Sequence, residues 1–390
     1  MLAPASTLLA ERTCARAQRY RVAMDRATRL RHELVDHLVS VGALRTPRWV
    51  DAFRQVPRHV FLRAFFVRHD DGSWSAVTDE HPDHLDLVYA DNVLVTQLGG
   101  TTTAWQAHRA RGTPTSSSSM PVIMAIMLEA LAPEPGARVL EIGTGTGYNA
   151  ALLAQALDDK AVTSVDVDPE VLTHATESLA LAGHAPRCVL GDGEQGHPPD
   201  APYTHILGTC AVDRVPPAWL AQAAPGGVVV TTLNRSLGAG LVRLAVHDGV
   251  GTGPVLADDG RFMPLRAHTP TWADALLAEA REGGDVRLTE LPGSTVVDPT
   301  AGFEFFAGVC LPGVVAGLDP VRLVAPDGSW ARQNGAGVAQ SGDRRLWDEV
   351  EAAYRTWLSY RRPRRAAFTY TATPTEAYFT HPPTGRTWPA

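Results

Sequence analysis

Between Arg19 and Val41 the apolar residues Val22, Leu30, Leu34, Leu38 and Val41 recur at mostly helical spacing among Arg, His and Glu, which predicts an amphipathic helix. Thr46 followed by Pro47 marks the start of a second, short helix, because proline suits a first helical position. The turn formers and acids of His69 to Asp86 predict a loop or insertion. The segment LVYADNVLVTQLGG that follows has strand-like composition. MPVIMAIMLEAL, Met120 to Leu131, is apolar nearly all round and too long for a typical strand. It predicts a buried helix with Pro121 in its first turn and the preceding serines as caps.

From Arg138 the pattern becomes regular. RVLEI, AVTSVDV, RCVLG, THILGTC and GGVVVTTL are strand-like, and helical stretches such as YNAALLAQAL, PEVLTHATESLALAG and PPAWLAQAA fall between them. Strands alternating with helices of this length predict an α/β fold, a mainly parallel Rossmann-like sheet with helices on both faces. GAGLVRLAVHDG and GRFMPLRA read as closing strands. Beyond Ala267 a short helix, WADALLAEA, precedes β-rich runs (VRLTEL, FEFFAGVCL, VRLVAPDGSWARQ), and Leu346, Val350, Tyr354, Trp357 and Leu358 mark one face of a strong amphipathic helix. The last segment, RRAAFTYTATPTEAYFTHPP, reads as a hairpin. This organisation predicts a helical N-terminal region over 1–68, a central domain over 69–267 and an α+β accessory domain over 268–390.

Composition narrows the function classes. The 390 residues are 45% hydrophobic and 20% charged, as in a soluble globular protein. A net charge of -7 offers no basic footprint for nucleic acid. Cys14, Cys188, Cys210 and Cys310 lack CxxC spacing, which argues against a disulfide framework and a zinc site. No basic residue precedes the short apolar stretch at the start, so it does not read as a signal peptide, and no apolar run reaches membrane-spanning length. The expected home is the cytoplasm, with no membrane association.

The chemistry concentrates in RVLEIGTGTGYNAALLAQAL, Arg138 to Leu157. A dinucleotide fingerprint, G-x-G-x-x-G, wants a third glycine where Tyr148 stands; the pattern here is E-x-G-x-G-x-G. Gly143, Gly145 and Gly147 let the backbone pass close to a ligand at a strand's carboxyl end, with Thr144 between them. Glu141 would repel a pyrophosphate but tolerates a cation, which favours S-adenosylmethionine with its sulfonium and amino group. Asp166 ends the next strand, where an adenosyl ribose needs a carboxylate to accept its hydroxyls. Asp192 ends the third, within reach of an adenine. Val167 and Gly193, beside these acids, complete the predicted cofactor set, with S-adenosylhomocysteine as the product.

VLEIGTGTGYNAALLA, GDG and APGGVVV together resemble the protein-L-isoaspartate O-methyltransferases, class I enzymes that use S-adenosylmethionine. VPRHVFL, VYADNVL and SSSSMPVIMAIMLEAL resemble that family's region before the sheet, and GRFMPLR its closing strand. The resemblance runs from about Leu30 to Arg266 and departs from the family in two ways. Where the family's substrate loop reads roughly Thr-Ile-Ser-Ala-Pro-His, this chain has Ser117, Ser118, Ser119, Met120, Pro121 and Val122, without the histidine, and an insertion, LGGTTTAWQAHRARGTP, precedes it. The C-terminal extension is the second departure. It resembles, more loosely, the tails of related enzymes in ribosomal peptide pathways of the lanthipeptide and ATP-grasp-ligated types. Those enzymes methylate an aspartate of a cyclised precursor, and the ester collapses to a succinimide.

The resemblance therefore implies a carboxyl O-methyltransferase acting on an aspartyl residue of a peptide, in particular a macrocyclic one, with general isoaspartate repair as the alternative. A carboxylate is ionised at neutral pH, so positioning carries the catalysis and no general base is expected. Ser117 and Ser119, with backbone N–H groups where the Met120 helix begins, form a candidate carboxylate cradle; helix capping is the competing role for the serines. An inactive peptide-binding scaffold is the reading from another class, but a scaffold has no need of a cofactor loop. A nicotinamide dehydrogenase is disfavoured by Tyr148. His81 and His84, spaced as H-x-x-H, read as polar loop residues rather than metal ligands. Trp330, Trp347 and Trp357 read as core or peptide-facing aromatics, and SYRRPRRAA as a solvated basic helix end.

Overall fold

A computed structural model describes residues 25–269, 273–279, 283–318 and 320–390. In chain order the first elements are α1 (25–40), α2 (Pro47–Gln55), β1 (Ala64–Arg68), β2 (Trp74–Thr78), α3 (His84–Tyr89), β3 (Leu94–Leu98), β4 (Thr102–Thr103), β5 (Arg109–Ala110), β6 (Pro114–Ser118) and α4 (Pro121–Leu131). The alternating region supplies β7 (Val139–Ile142), α5 (Tyr148–Leu157), β8 (Val162–Asp166), α6 (Pro169–Leu181), β9 (Arg187–Leu190), β10 (Tyr203–Val212), α7 (Pro217–Gln222), β11 (Ala223–Leu233), β12 (Gly240–His247) and β13 (Val250–Pro254). The remainder is α8 (Ala273–Glu279), β14 (Asp285–Leu288), α9 (Gly293–Val297), α10 (Phe303–Cys310), β15 (Val315–Leu318), β16 (Val321–Val324), β17 (Trp330–Asn334), β18 (Gly337–Ser341), α11 (Leu346–Ser359), β19 (Thr369–Ala372), β20 (Ala377–His381) and β21 (Arg386–Pro389).

By contact density the chain divides into two units. The first takes residues up to Glu129 together with Thr144–Val162 and Asp168–Val189. In it α1 buries Ala27, Leu34, Val35 and Leu38, whereas Val41 lies beyond the helix end and is exposed; the predicted Val22 falls outside the described residues. Pro47 opens α2 as expected, and Trp49, Ala52 and Phe53 form its buried face. The Glu129 carboxylate accepts the Arg45 and Thr46 N–H groups, each at 2.7 Å, and the Thr46 hydroxyl at 2.6 Å, an anion placed where a helix N-terminus attracts one.

The same unit holds a small antiparallel sheet of order β4-β3-β1-β2-β5, with β6 also paired to β3. Phe66, Trp74, Val95, Leu98 and Ala104 form its core cluster. Here the structure corrects the sequence reading. The segment taken as a loop contains β2, paired with β1 along five residues, and the start of α3, which also claims Leu87, Val88 and Tyr89 from the predicted strand. Turn-forming residues at Asp70 to Gly72 close the β1–β2 hairpin, and their density masked the short strand beyond them. Ser116, Ser117 and Ser118 are not caps: they pair with Gln97, Val95 and Leu94 in the sheet. The cap of α4 comes instead from Asp91, whose carboxylate accepts the Val122 N–H at 2.9 Å.

The large sheet has the order β21-β20-β19-β13-β12-β11-β10-β7-β8-β9; all of its strands but β9, which is counted with the first unit up to Val189, lie wholly or mainly in the second unit, Ala130–Gly143, Thr163–Val167 and Leu190–Ala390. β7, β10 and β11 run parallel, and from β12 onward the pairing is antiparallel. The part β9-β8-β7-β10-β11 has the doubly wound order, with its switch point between β7 and β10. Two further predicted strands are absent. FEFFAGVCL forms the helix α10, with Phe303, Phe305, Phe306, Ala307 and Val309 all buried; a run apolar but for Glu304 and of this length fits either state by pattern alone. GRFMPLRA forms only a bridge of Pro264 with Ala211, since Pro264 has no N–H to donate, and then turns at Arg266–His268.

The strands β15 to β18 and β14 form a separate antiparallel sheet of order β14-β18-β17-β16-β15. α11 buries Leu346, Trp347, Val350, Ala353 and Trp357, and Phe303 of α10 meets Tyr354 and Trp357 at ring distances of 5.0 and 5.5 Å. The hairpin β19–β20 continues the large sheet, because β19 pairs with β13 from Gly251–Ala372 to Pro254–Thr369. Residues 369–389 thus share the sheet of the central segment, across the sequence boundary placed at 268. Arg365 of the basic run is buried and ion-paired with Asp259 at 2.9 Å, not solvated. Trp347 and Trp357 are buried and donate to Thr289 Oγ1 and the Pro363 carbonyl. Among the described residues no helix is long and apolar enough to cross a membrane.

Burial alone would raise the Glu129 carboxyl, but its bonds from Thr46 and Arg45 hold it below the ordinary value. A depressed carboxyl stabilises the fold above its unfolded pKa, and that contribution is lost as pH falls through the folded value. Glu129→Gln is expected to lower stability at pH 7 by about 1–2 kcal/mol and to match the parent in denaturant titrations near pH 3. A gap that persists at pH 3 would contradict this assignment.

Candidate functional site

Within the second unit the carboxyl ends of three adjacent strands are locked in register by their backbones. Gly143 N–H donates to the Val165 carbonyl at 2.8 Å, and Gly191 N–H to the Asp166 carbonyl at 2.9 Å. This brings Gly143, Asp166, Val167, Asp192 and Gly193 to one end of the sheet, at the switch point where open α/β sheets bind ligands. The three predicted acids differ in burial. Glu141 is fully buried and its carboxylate accepts the Ser164 hydroxyl, so it supports the loop from below. Asp166 is half-buried and Asp192 exposed. Asp192 caps a short turn over Gly193–Gln195 by accepting the Glu194 N–H at 3.0 Å. Val167 presents an exposed apolar flank beside Asp166, at 43% of its full accessibility.

Two glycines here are required by space. A Cβ at Gly193 would stand 2.5 Å from the Ile142 side chain, and one at Gly143, which has φ +100°, would stand 2.8 Å from Thr209 Oγ1. Thr209 in turn donates to the Ile142 and Gly143 carbonyls at 3.0 and 2.7 Å, fixing the backbone where it leaves the strand. The Cys210 thiol beside them is pushed up to about 12, by burial first and then by the charges of Asp166 and Glu141. The pocket floor is therefore electronegative. A sulfonium and an ammonium fit such a donor set; a pyrophosphate does not.

Within the first unit Thr144, Gly145 and Gly147 continue the loop into α5. Gly147 has φ +85° and packs so closely on α6 that a Cβ would lie 3.2 Å from the Ala175 carbonyl. Gly145 has φ +53°, and a Cβ there would lie 3.4 Å from the Ser117 carbonyl. The loop and the β6 serine strand are thus neighbours within this unit. Along β6 burial alternates: Ser116 and Ser118 are buried, Ser117 and Ser119 partly open. Ser119 lies just past the end of β6 and, like Ser117, is partly open. The Val122 amide of the predicted cradle is already engaged by Asp91, which leaves the hydroxyls as the candidate donors.

Sequence reasoning missed what holds this arrangement. Arg58 is fully buried. Its Nη1 donates to the Val88 and Ala90 carbonyls at 2.7 and 3.2 Å, and its Nη2 to the Asn92 carbonyl, Ser118 Oγ and the Ser119 carbonyl at 3.3, 3.5 and 3.1 Å. Burial lowers its pKa to about 10, against the raising effect of Tyr148 and Asp91, so it stays charged at neutral pH. Gln97 is a second such residue. It donates to the buried carboxylate of Asp168 at 3.1 Å and accepts from Thr115 at 2.7 Å, while Asp168 caps α6 through the Glu170 and Val171 amides. The Asp168-Pro169 pair carried a helix-start signal that Asp166 overshadowed. His81 and His84 do not converge: His81 Nδ1 accepts the Asp83 N–H, and His84 Nε2 donates to the Leu62 carbonyl from a buried position.

Doubly wound strand order, a glycine-rich first turn and acids on the next two strand ends define a class I S-adenosylmethionine-dependent methyltransferase. Residues 88–249 match the family model of protein-L-isoaspartate(D-aspartate) O-methyltransferase. Over 246 residues the chain is 31% identical to a protein-L-isoaspartate O-methyltransferase of Methanopyrus kandleri, covering 60% of this chain and 93% of that one. Over 158 residues it is 40% identical to the protein of the same description from Anaeromyxobacter dehalogenans, 39% of this chain and 73% of that one. The chain belongs to the protein-L-isoaspartate O-methyltransferase family and is a protein carboxyl O-methyltransferase with S-adenosylmethionine as methyl donor. A solved structure of a protein-L-isoaspartate O-methyltransferase shares the fold with a TM-score of 0.53 at 22% identity, over 90% of this chain and 99% of that one. That likeness in fold reaches well beyond residues 88–249.

Asp166→Ala is expected to weaken binding of S-adenosylhomocysteine by roughly a hundredfold, the worth of two hydrogen bonds to a charged group, with the circular dichroism spectrum unchanged. Calorimetric titration checks it, and an unaltered Kd would remove Asp166 from the cofactor site.

Proposed function

We propose that the enzyme methylates the side-chain carboxylate of an isoaspartyl or aspartyl residue in a peptide or protein, with Ser117 and Ser119 holding that carboxylate beside the glycine loop. The observation that carries this reading is the approach of the β6 serine strand to Gly145. The cofactor supplies a methyl group on a cationic sulfur when bound. Glu141 stiffens the loop, Gly143, Thr144, Gly145 and Gly147 supply close backbone approach, Asp166 and Val167 take the ribose and its flank, and Asp192 with Gly193 borders the adenine. Ser119 and Ser117 donate hydroxyl hydrogens to one carboxylate oxygen and leave the other free. With S-adenosylmethionine held by the glycine loop, Asp166 and Asp192, the free oxygen would be the methyl acceptor, and the products would be a methyl ester and S-adenosylhomocysteine. The acceptor is already ionised at neutral pH, so alignment supplies the rate. The neighbouring backbone amide nitrogen of the product can then displace methanol to close a succinimide.

General repair of isoaspartyl residues is the reading that family membership supports. A narrower reading, maturation of a cyclised ribosomal peptide to an aspartimide, is favoured by one local feature. Met120, Pro121 and Val122 replace the expected end of the substrate loop, and the preceding insertion is folded into the sheet as β4 and β5. The experiment is mass spectrometry of a linear isoaspartyl peptide, and of a side-chain-cyclised one, after incubation with the enzyme and S-adenosylmethionine. Methyl ester on the linear peptide supports repair; ester or succinimide on the cyclised peptide alone supports maturation; neither, with cofactor bound, overturns the carboxylate assignment. Ser119→Ala is expected to lower kcat ten- to roughly a hundredfold, the loss of one charge-assisted hydrogen bond, with cofactor affinity retained and Ser119→Thr restoring part of it. Unchanged kinetics would reduce Ser119 to a structural role.

A further inference from the structure

The insertion does more than lengthen a connection. Its Thr102 and Thr103 pair with Leu98 and Gln97, its Arg109 and Ala110 with Ser75 and Trp74, and Ala104 is buried in the core cluster of the small sheet. Trp105, the next residue, is therefore displayed from a fixed support, yet its indole keeps 53% of its full exposure. A large aromatic held rigidly in solvent is the composition of a contact residue.

Trp105 stands at a cavity of about 260 Å³ within the first unit. The cavity lies outside the crevice assigned to the cofactor; of the nine residues given to that site, it shares only Gly145. Its volume falls just under the range of small-molecule sites, which suits one amino-acid side chain. On α6 the residues Glu170, Val171, His174, Ser178 and Leu181 line one wall, with Glu177 beside them. Both carboxylates are exposed, and His174 lies 3.7 Å from Glu177. The cationic lining residue, Arg63, sits over the Trp105 ring at 5.6 Å and is already paired with Asp79 at 3.0 Å. The charge left for a ligand is thus negative, next to an indole and to Leu181, one helical turn from Glu177.

We propose that this cavity binds an arginine or lysine side chain of the methyl-accepting polypeptide and so selects substrates with a basic residue near the modified aspartyl. Leu181 takes the methylene stem, as long basic side chains bury their stems while keeping the head polar. The head meets Glu177, one turn away, with Trp105 supplying a cation–π face. The inference rests on the reading that the acceptor is a polypeptide carboxylate.

The test uses isoaspartyl peptides in which arginine, or its neutral isostere citrulline, is moved along both flanks. With the parent enzyme, kcat/KM at one or more positions is expected to favour arginine by about tenfold, within the range of a partly desolvated cation–π contact. Trp105→Ala and Glu177→Gln should each bring the arginine-to-citrulline ratio close to one. A ratio near one at every position in the parent enzyme overturns the proposal while leaving the methyltransferase reading intact. If no peptide is methylated, the acceptor reading has failed, and calorimetric titration of the same peptide pairs decides the pocket separately. Tighter binding of an arginine peptide, lost in Trp105→Ala, supports it; equal binding overturns it.

Discussion

A single buried cation organises the serine strand of the first unit. Arg58 spends its guanidinium on four backbone carbonyls and one hydroxyl drawn from two stretches of chain, Val88 to Asn92 and Ser118 to Ser119. Burying a charge costs least when its hydrogen bonds are made; carbonyl oxygens and one hydroxyl serve both Nη atoms here, while the buried Nε has no partner. The carbonyls cannot move apart without stranding the charge. The serine strand is therefore held at the position that brings Ser117 to Gly145. Below the guanidinium, Tyr148 packs at 5.8 Å and meets Phe53 and Phe61, so the first residue of α5 shares the anchor.

The cofactor side is ordered by a different constraint, the lack of room at the strand ends. Gly143 and Gly193 are pressed against Thr209, Ile142 and Leu265, so the loops cannot accept larger residues without shifting. The graded burial of Glu141, Asp166 and Asp192 follows from their places along the strands. An acid inside β7 is used on Ser164, whereas those at and beyond the ends of β8 and β9 keep a polar face. Acids at three depths thus differ in exposure, from the buried Glu141 through the half-buried Asp166 to the exposed Asp192.

The alternation of strand and helix from Arg138 to Leu233 was legible because each element there is long enough to show its period and is punctuated by glycine or proline. The loop glycines and Asp166 were legible for the same reason. Failures cluster where a segment is short or uniformly apolar. The Phe303 helix is buried all round and carries no stripe to distinguish it from a strand. β2 is five residues beside a turn, and the polar serines of β6 look like caps until a partner strand is known. Arg58 and Gln97 were unreadable as anchors because their partners lie up to 61 and 71 residues away, and no local pattern records such distances.

The pairing of β19 with β13 has a consequence for how the molecule comes into being. Thr252 and Thr371 share a hydrogen bond across 119 residues of chain. During synthesis, β13 emerges with one edge open and stays so until residues 369–372 have left the ribosome. Closing such long loops is slow relative to local pairing. The chain carries Pro254 at the end of that waiting strand, where it has no N–H to offer a stray neighbour, so a feature of the finished sheet also guards its unfinished edge.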